Sequence, residues 1–217
     1  MDDGTSGESL QTGASRASIA AERRMARRRE AAEAEIDRLL ALTLELVAEK
    51  APAIPSVSEI VTAAGISNQT LYRSFPSKDD LIMAVLERGV QRGAERIGDR
   101  MAEEPDPRQR ILVWVRGVLR QVSDPRSART SRAVLRHLGL AGANTGSSEG
   151  ELLRPITGLL VAPLKELGRE PEHKAPYLSD LTLGMMRRHL WSNTEPTPDD
   201  AERLARFILR GLGIERT

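Results

Sequence analysis

From Asn68 to Arg73 the chain reads Asn-Gln-Thr-Leu-Tyr-Arg, which sets two side-chain amides, a hydroxyl, a phenol and a guanidinium close together. Amides of this kind bond adenine bidentately and a guanidinium bonds guanine, while hydroxyls and phenols reach phosphate oxygens. Lys78 follows shortly with an ammonium. The chemistry on offer is hydrogen-bonded recognition of DNA rather than bond making. The chain has no cysteine, so thiolate nucleophiles, thiolate metal sites and disulfides are excluded. Its histidines, His137, His173 and His189, form no metal-ligand pair such as H-x-x-x-H, and there is no glycine-rich phosphate loop or nucleophile elbow. No catalysis, metal or cofactor is expected.

The elements that must position these groups are written just upstream. Ser56 followed by Glu59 has the spacing of a capping box, so a helix starts there. Val57, Ile60, Val61 and Ala64 make one apolar stripe, and Gly65 supplies the permissive backbone that ends the helix. Ile66 is the expected buried plug of the turn, and Ser67 caps a second helix. Leu71 and Phe75 then face inward, leaving Asn68, Gln69, Thr70, Tyr72 and Arg73 outside. Pro76 stops this helix, and Ser77, three residues before Asp80, caps a third. Lys78 sits in its first turn, where free amides attract anions. Ser56, Ser58 and Ser67, at helix starts beside the reading face, join the DNA-binding candidates.

The run SVSEIVTAAGISNQTLYRSFPSKDDL, Ser56 to Leu81, resembles the DNA-binding domain of the TetR family of bacterial transcriptional regulators. Ile60, Ala64, Gly65, Ser67, Leu71, Tyr72, Phe75, Pro76, Ser77, Lys78 and Leu81 carry the likeness. Its specific part is Leu-Tyr-x-x-Phe-Pro-x-Lys after Ala-Gly-Ile-Ser, and it covers roughly residues 33 to 90. The resemblance implies an all-α protein in two parts. A helix-turn-helix three-helix domain (31–78) would precede a larger C-terminal helical domain (79–217) for ligand binding and dimerisation. One departure is the loop Ala51-Pro52-Ala53-Ile54-Pro55, which carries two prolines where the family usually has glycine.

Composition agrees with a soluble, helix-rich protein: 217 residues, 40% hydrophobic and 29% charged, with only 3% aromatic. No apolar run approaches a membrane span and the N-terminus has no signal-peptide core, so a cytoplasmic location is expected. The net charge of +1 conceals an uneven distribution. Arg16, Arg23, Arg24, Arg27, Arg28 and Arg29 oppose only Glu22 between residues 16 and 29, a local +5 beside the reader. Residues 1 to about 15 are expected to be disordered, and 1–30 as a whole to form a basic N-terminal arm. The stretch 16–29 is either a flexible tether or a helical extension, and its arginines are candidates for phosphates or the minor groove. An amphipathic helix over about 31–50 should back the reader through Ile36, Leu39, Leu40, Leu44 and Val47.

Further helices are expected to about 101, over 107–122, 126–139, 149–168, 172–191 and 198–212, with a mobile loop at 141–150. Pro163 should kink or break the fourth of these. In the larger part, Trp114, His137, Met185 and His189 are candidate ligand residues, with Met186 and Trp191 near them in type. Trp114 also fits plain core, and His137 could simply end its helix. By the family likeness, the last two helices pair with a symmetry mate through Leu181, Trp191, Leu204, Ile208 and Leu212. The function so implied is a homodimeric repressor that binds a palindromic operator and is released by a small apolar or amphipathic effector. The alternative is a ligand-independent dimeric DNA-binding or architectural protein.

Overall fold

The structure, a computed structural model, describes residues 16–139 and 146–214. The expectation for residues 1–15, and that for 141–145 of the expected loop, lie outside the described residues. Every regular element among those described is α-helical: α1 Arg16–Lys50, α2 Val57–Ala64, α3 Asn68–Ser74, α4 Lys78–Ala102, α5 Pro107–Ser123, α6 Pro125–His137, α7 Gly146–Gly158, α8 Val161–Glu166, α9 Pro171–Ser192 and α10 Pro198–Gly211. The protein is an all-α chain with a helix-turn-helix domain and a larger C-terminal helical domain. Among the described residues no helix is long and apolar enough to cross a membrane.

Helix starts follow from local chemistry. Asp106 with Pro107, Asp124 with Pro125 and Thr197 with Pro198 each place a capping oxygen before a proline whose missing N–H costs nothing at that position. Thr197 and Asp200 form a reciprocal capping box: the Asp200 amide donates to the threonine hydroxyl at 3.2 Å and the Thr197 amide to the carboxylate at 2.8 Å.

By contacts the chain divides at Leu39/Leu40. The first unit is helical from Arg16, so α1 begins about 15 residues before the expected start near residue 31. Of the two readings of residues 16–29, the helical extension is the one seen. Ala, Arg and Glu dominate this stretch and are strong helix formers, so it needs no packing partner to favour helix. Its described side chains from Arg16 to Ile36 are exposed.

In the second unit α5 is the central helix. It buries Ile111, Leu112, Trp114, Val115, Val118, Leu119 and Val122 against α4, α8, α9 and α10. Gly117 permits the closest approach, since a Cβ there would lie 2.6 Å from Ile97 Cγ1 of α4. The expected helix 149–168 is split into α7 and α8 at Leu159–Leu160. Pro163 is the cause, because its ring excludes the carbonyl four residues earlier, that of Leu159.

Candidate nucleic-acid interface

The reader is built from α2, a tight turn and α3. Ser56 accepts the Glu59 amide at 3.3 Å, and the Glu59 carboxylate accepts both the amide and the hydroxyl of Ser56 at 2.8 Å. Lys50, from the end of α1, closes on the other oxygen of the same carboxylate. These contacts, the Lys50 ammonium foremost and then the Ser56 amide and hydroxyl, hold the Glu59 carboxyl at about 2, well below its ordinary 4.5. Gly65 then takes φ 67°, and the Ile66 amide reaches back to the Val61 carbonyl at 3.1 Å, a glycine-capped helix end.

Ile60 and Leu71 are fully buried and Phe75 nearly so, which fixes the turn from within. Ile66 is only half-buried, so the plug expected there is Ile60 with Leu71 instead. Val57, Val61 and Ala64 are likewise half-buried, which leaves Ile60 as the one member of that stripe that reaches the interior.

Ser67 accepts the Thr70 amide at 3.1 Å, and the two hydroxyls share a bond at 3.0 Å. Thr70 is therefore half-buried and its hydroxyl engaged, whereas the sequence placed it on the open face. Asn68, Gln69, Tyr72 and Arg73 are exposed, Tyr72 at 46%. Ser58 is exposed as well, while Ser56 and Ser67 use their hydroxyls as caps.

Lys78 opens α4 and is half-buried. In the same turn the Asp80 amide already donates to Ser77 Oγ at 3.1 Å, and Asp79 is hydrogen-bonded by His137 Nε2 at 2.9 Å. That contact lies outside sequence reach, since the partners are 58 positions apart. It takes His137, a candidate ligand residue, to the reader's doorstep. Arg126, at the other end of α6, pairs with Glu45 of α1 at 2.8 Å. Between the two, Ala133 and Val134 pack with Val47 of α1 and Ile82 of α4. Helix α6 thus fastens the larger domain to the reader's supports at three points.

The arm arginines fall in two sets. Arg23, Arg24, Arg27 and Arg28 are exposed with Arg16, whereas Arg29 is paired with Glu33 one turn on at 2.8 Å.

The other candidates are scattered. Trp114 is wholly buried in the core and donates its Nε1–H to the Ile156 carbonyl at 2.8 Å, a structural position. Met185 packs half-buried against that core. His189 is buried, with Nδ1 2.9 Å from Thr194 Oγ1 and Nε2 without a partner among the described residues. Trp114, His137, Met185 and His189 are thus not gathered around one described cavity.

Of the dimer candidates, Leu181 and Trp191 are exposed and Leu204 is half-buried. Ile208 and Leu212 are 2% and 5% exposed and belong to the protomer's own core, which corrects their assignment. The apolar stripe of α10 covers α5 of its own chain, and Phe207, 63% exposed, stands on the outer side.

Known proteins resemble this arrangement. The profile of bacterial regulatory proteins of the tetR family matches residues 39–85, the end of α1 through the start of α4. An uncharacterised HTH-type transcriptional regulator of Mycobacterium tuberculosis is 29% identical over 173 residues, 80% of this chain and 83% of that protein. A TetR transcriptional regulator from Rhodococcus sp. RHA1 is 25% identical, with a TM-score of 0.59 over 85% of this chain and 98% of its own. The transcriptional regulator FadR from Bacillus subtilis, solved in complex with stearoyl-CoA, shares the fold at 18% identity and a TM-score of 0.51, over 80% and 95% of the two chains. With its capped α2–Gly65–α3 reader, the profile match over residues 39–85 and these relatives along most of its length, the chain carries a TetR-type DNA-binding domain and is a DNA-binding transcriptional regulator.

Proposed function

We propose that the protein is a homodimeric repressor that reads a palindromic operator and lets go of it when a small apolar or amphipathic effector binds. The observation that carries this reading is the exposed outer side of α3, where Asn68, Gln69, Tyr72 and Arg73 stand clear of a turn locked by Ile60 and Leu71. Gln69 and Asn68 suit adenine and Arg73 suits guanine; Tyr72 and Lys78 suit phosphates and set register. Ser56 and Ser67 serve first as caps, and Ser58 and the arm add backbone contacts. No reaction is catalysed, and the protein works in the cytoplasm, where its DNA is.

A single helix-turn-helix reads too little DNA for a specific site, so two copies are needed about one helical turn apart. The dimer surface is the outer stripe of α9, with Tyr177, Leu181 and Trp191 exposed along it, joined by Phe207 of α10. The effector acts through the larger domain, and α6 passes its influence on through Val134, Arg126 and His137. An amphipathic effector accords with the acyl thioester solved with the FadR relative. A second reading, in which the larger domain only dimerises, draws on Trp114, which is buried in the core with its Nε1–H bonded to the Ile156 carbonyl.

Selection of bound duplexes from a random pool tests the function. A two-fold symmetric site with half-sites about 34 Å apart is expected. Recovery of a single half-site, or of no preferred sequence, would overturn it. Thermal shift against lipophilic metabolites separates the two readings, because a ligand held only by the folded state raises the midpoint. A rise supports the sensor, and a flat response across the panel supports the dimerising role.

A further inference from the structure

Residues 16–31 of α1 form a helix with one-sided charge. At about 100° per residue, Arg16, Arg23, Arg24, Arg27 and Arg28 fall within an arc of roughly 140°, spaced by Ala20 and Ala31. No acid enters that arc between residues 16 and 31, since Glu22 and Glu30 lie outside it. Arg29 lies on the opposite side, tied to Glu33 at 2.8 Å. Five guanidiniums are thus strung along about 18 Å of helix, exposed and with small residues between them.

We propose that this segment binds duplex DNA as an intact helix, through the arginine face alone, laying those guanidiniums on backbone phosphates of the duplex. The inference rests on the DNA-binding reading and adds the surface, its residues and its conformation. Two observations choose the occupant. The charge complements a dense polyanion, and the segment directly precedes the reader's backing stretch in the chain. A membrane-surface helix would set a continuous stripe of large apolar residues opposite its basic face, whereas here that side mixes Ile19 and Met25 with Glu22, Ala26, Arg29 and Glu33.

The test uses the full-length protein, the duplex recovered from the random pool and binding titrations from low to high salt. Arg23→Gln with Arg27→Gln should lower the slope of log K against log salt by nearly two, about 0.9 for each lost phosphate contact. Arg29→Gln should leave it unchanged. Ala26→Pro, which breaks the helix at constant charge, should lose slope comparably to the double change, with circular dichroism reporting the lost helix.

A slope lost equally for Arg29→Gln, or retained in Ala26→Pro despite the lost helicity, would mean a diffuse flexible polycation and overturn the helical mode. Variants that bind DNA like the wild type yet lose affinity for phosphatidylserine vesicles would assign the face to a membrane and overturn it too. A wild-type protein that binds no duplex would instead sink the DNA-binding reading itself.

Discussion

At the scale of the residue, the reader separates groups that hold the motif from groups left open to solvent. Ser56, Ser67 and Ser77 each use a hydroxyl on an amide three residues ahead, so their first work is to start helices. Gln69 and Arg73 have no such duty within the motif, and they are the residues expected to read bases. Gln69→Ala should change preference among operator variants at one position by about 1–3 kcal/mol. Lys78→Ala should weaken binding to every sequence alike and reduce the salt slope by roughly one. Fluorescence anisotropy on specific and random duplexes checks both, and equal losses on both DNAs for Gln69→Ala would sink its assignment.

Glu59 makes a second residue-scale prediction. Its carboxyl sits at about 2 in the folded protein against an ordinary 4.5, so its stabilising effect is complete above 4.5 and is lost as pH falls toward 2. Asp200, held at about 2 by the Thr197 amide and hydroxyl and by Arg203, adds loss over a window that opens from its ordinary 3.8. Unfolding midpoints measured from pH 6 down to 2 should therefore fall with acid, and Glu59→Gln should show a shallower fall than the wild type.

At the scale of the element, the α4–α5 crossing is tight because Gly117 has no side chain. Alanine there would gain about 1 kcal/mol of helix propensity. Its Cβ, however, would meet Ile97 Cγ1 at 2.6 Å, and Ile97 is branched and only 6% exposed. Overpacking of this kind costs about 1–3 kcal/mol, so the clash should outweigh the propensity. Gly117→Ala should lower stability in urea unfolding, and the same change made in an Ile97→Ala background should be neutral or stabilising. If alanine is equally harmful in both backgrounds, the Ile97 contact is not the cause. Helix α6 is the other element whose packing matters, since it touches α1 through the Arg126–Glu45 ion pair, α4 through the His137–Asp79 hydrogen bond and both through an apolar patch between.

At the scale of the whole molecule, the faces of α9 and α10 separate what the protomer keeps from what it can offer a partner. Leu181 is 45% exposed and Ile208 is 2% exposed, so charge at the first and truncation at the second should act differently. Leu181→Glu should leave the protomer folded but shift sedimentation toward monomer, with a loss of operator affinity that exceeds any loss on a half-site. Ile208→Ala should cost about 2–5 kcal/mol of stability by opening a core cavity, while folded protein remains dimeric. A dimer unaffected by Leu181→Glu would place the interface elsewhere.

The sequence by itself was enough for the all-α class, the reader and the helix starts, because these depend on partners within a few positions. Ser56 with Glu59, Ser77 with Asp80 and Thr197 with Asp200 are hydrogen bonds three residues long, and Gly65 follows from a left-handed turn that glycine adopts freely. The helical state of residues 16–30 was also present as Ala, Arg and Glu propensity, but without apolar periodicity to announce it. Only the tertiary structure decided which faces meet. An apolar stripe on α10 requires burial and does not say against what, and α5 of the same chain proved to be the answer for Ile208 and Leu212. The pairing of His137 with Asp79 and the burial of Trp114 against Ile156 were decided in the same way, since packing chooses partners by proximity in space and not along the chain.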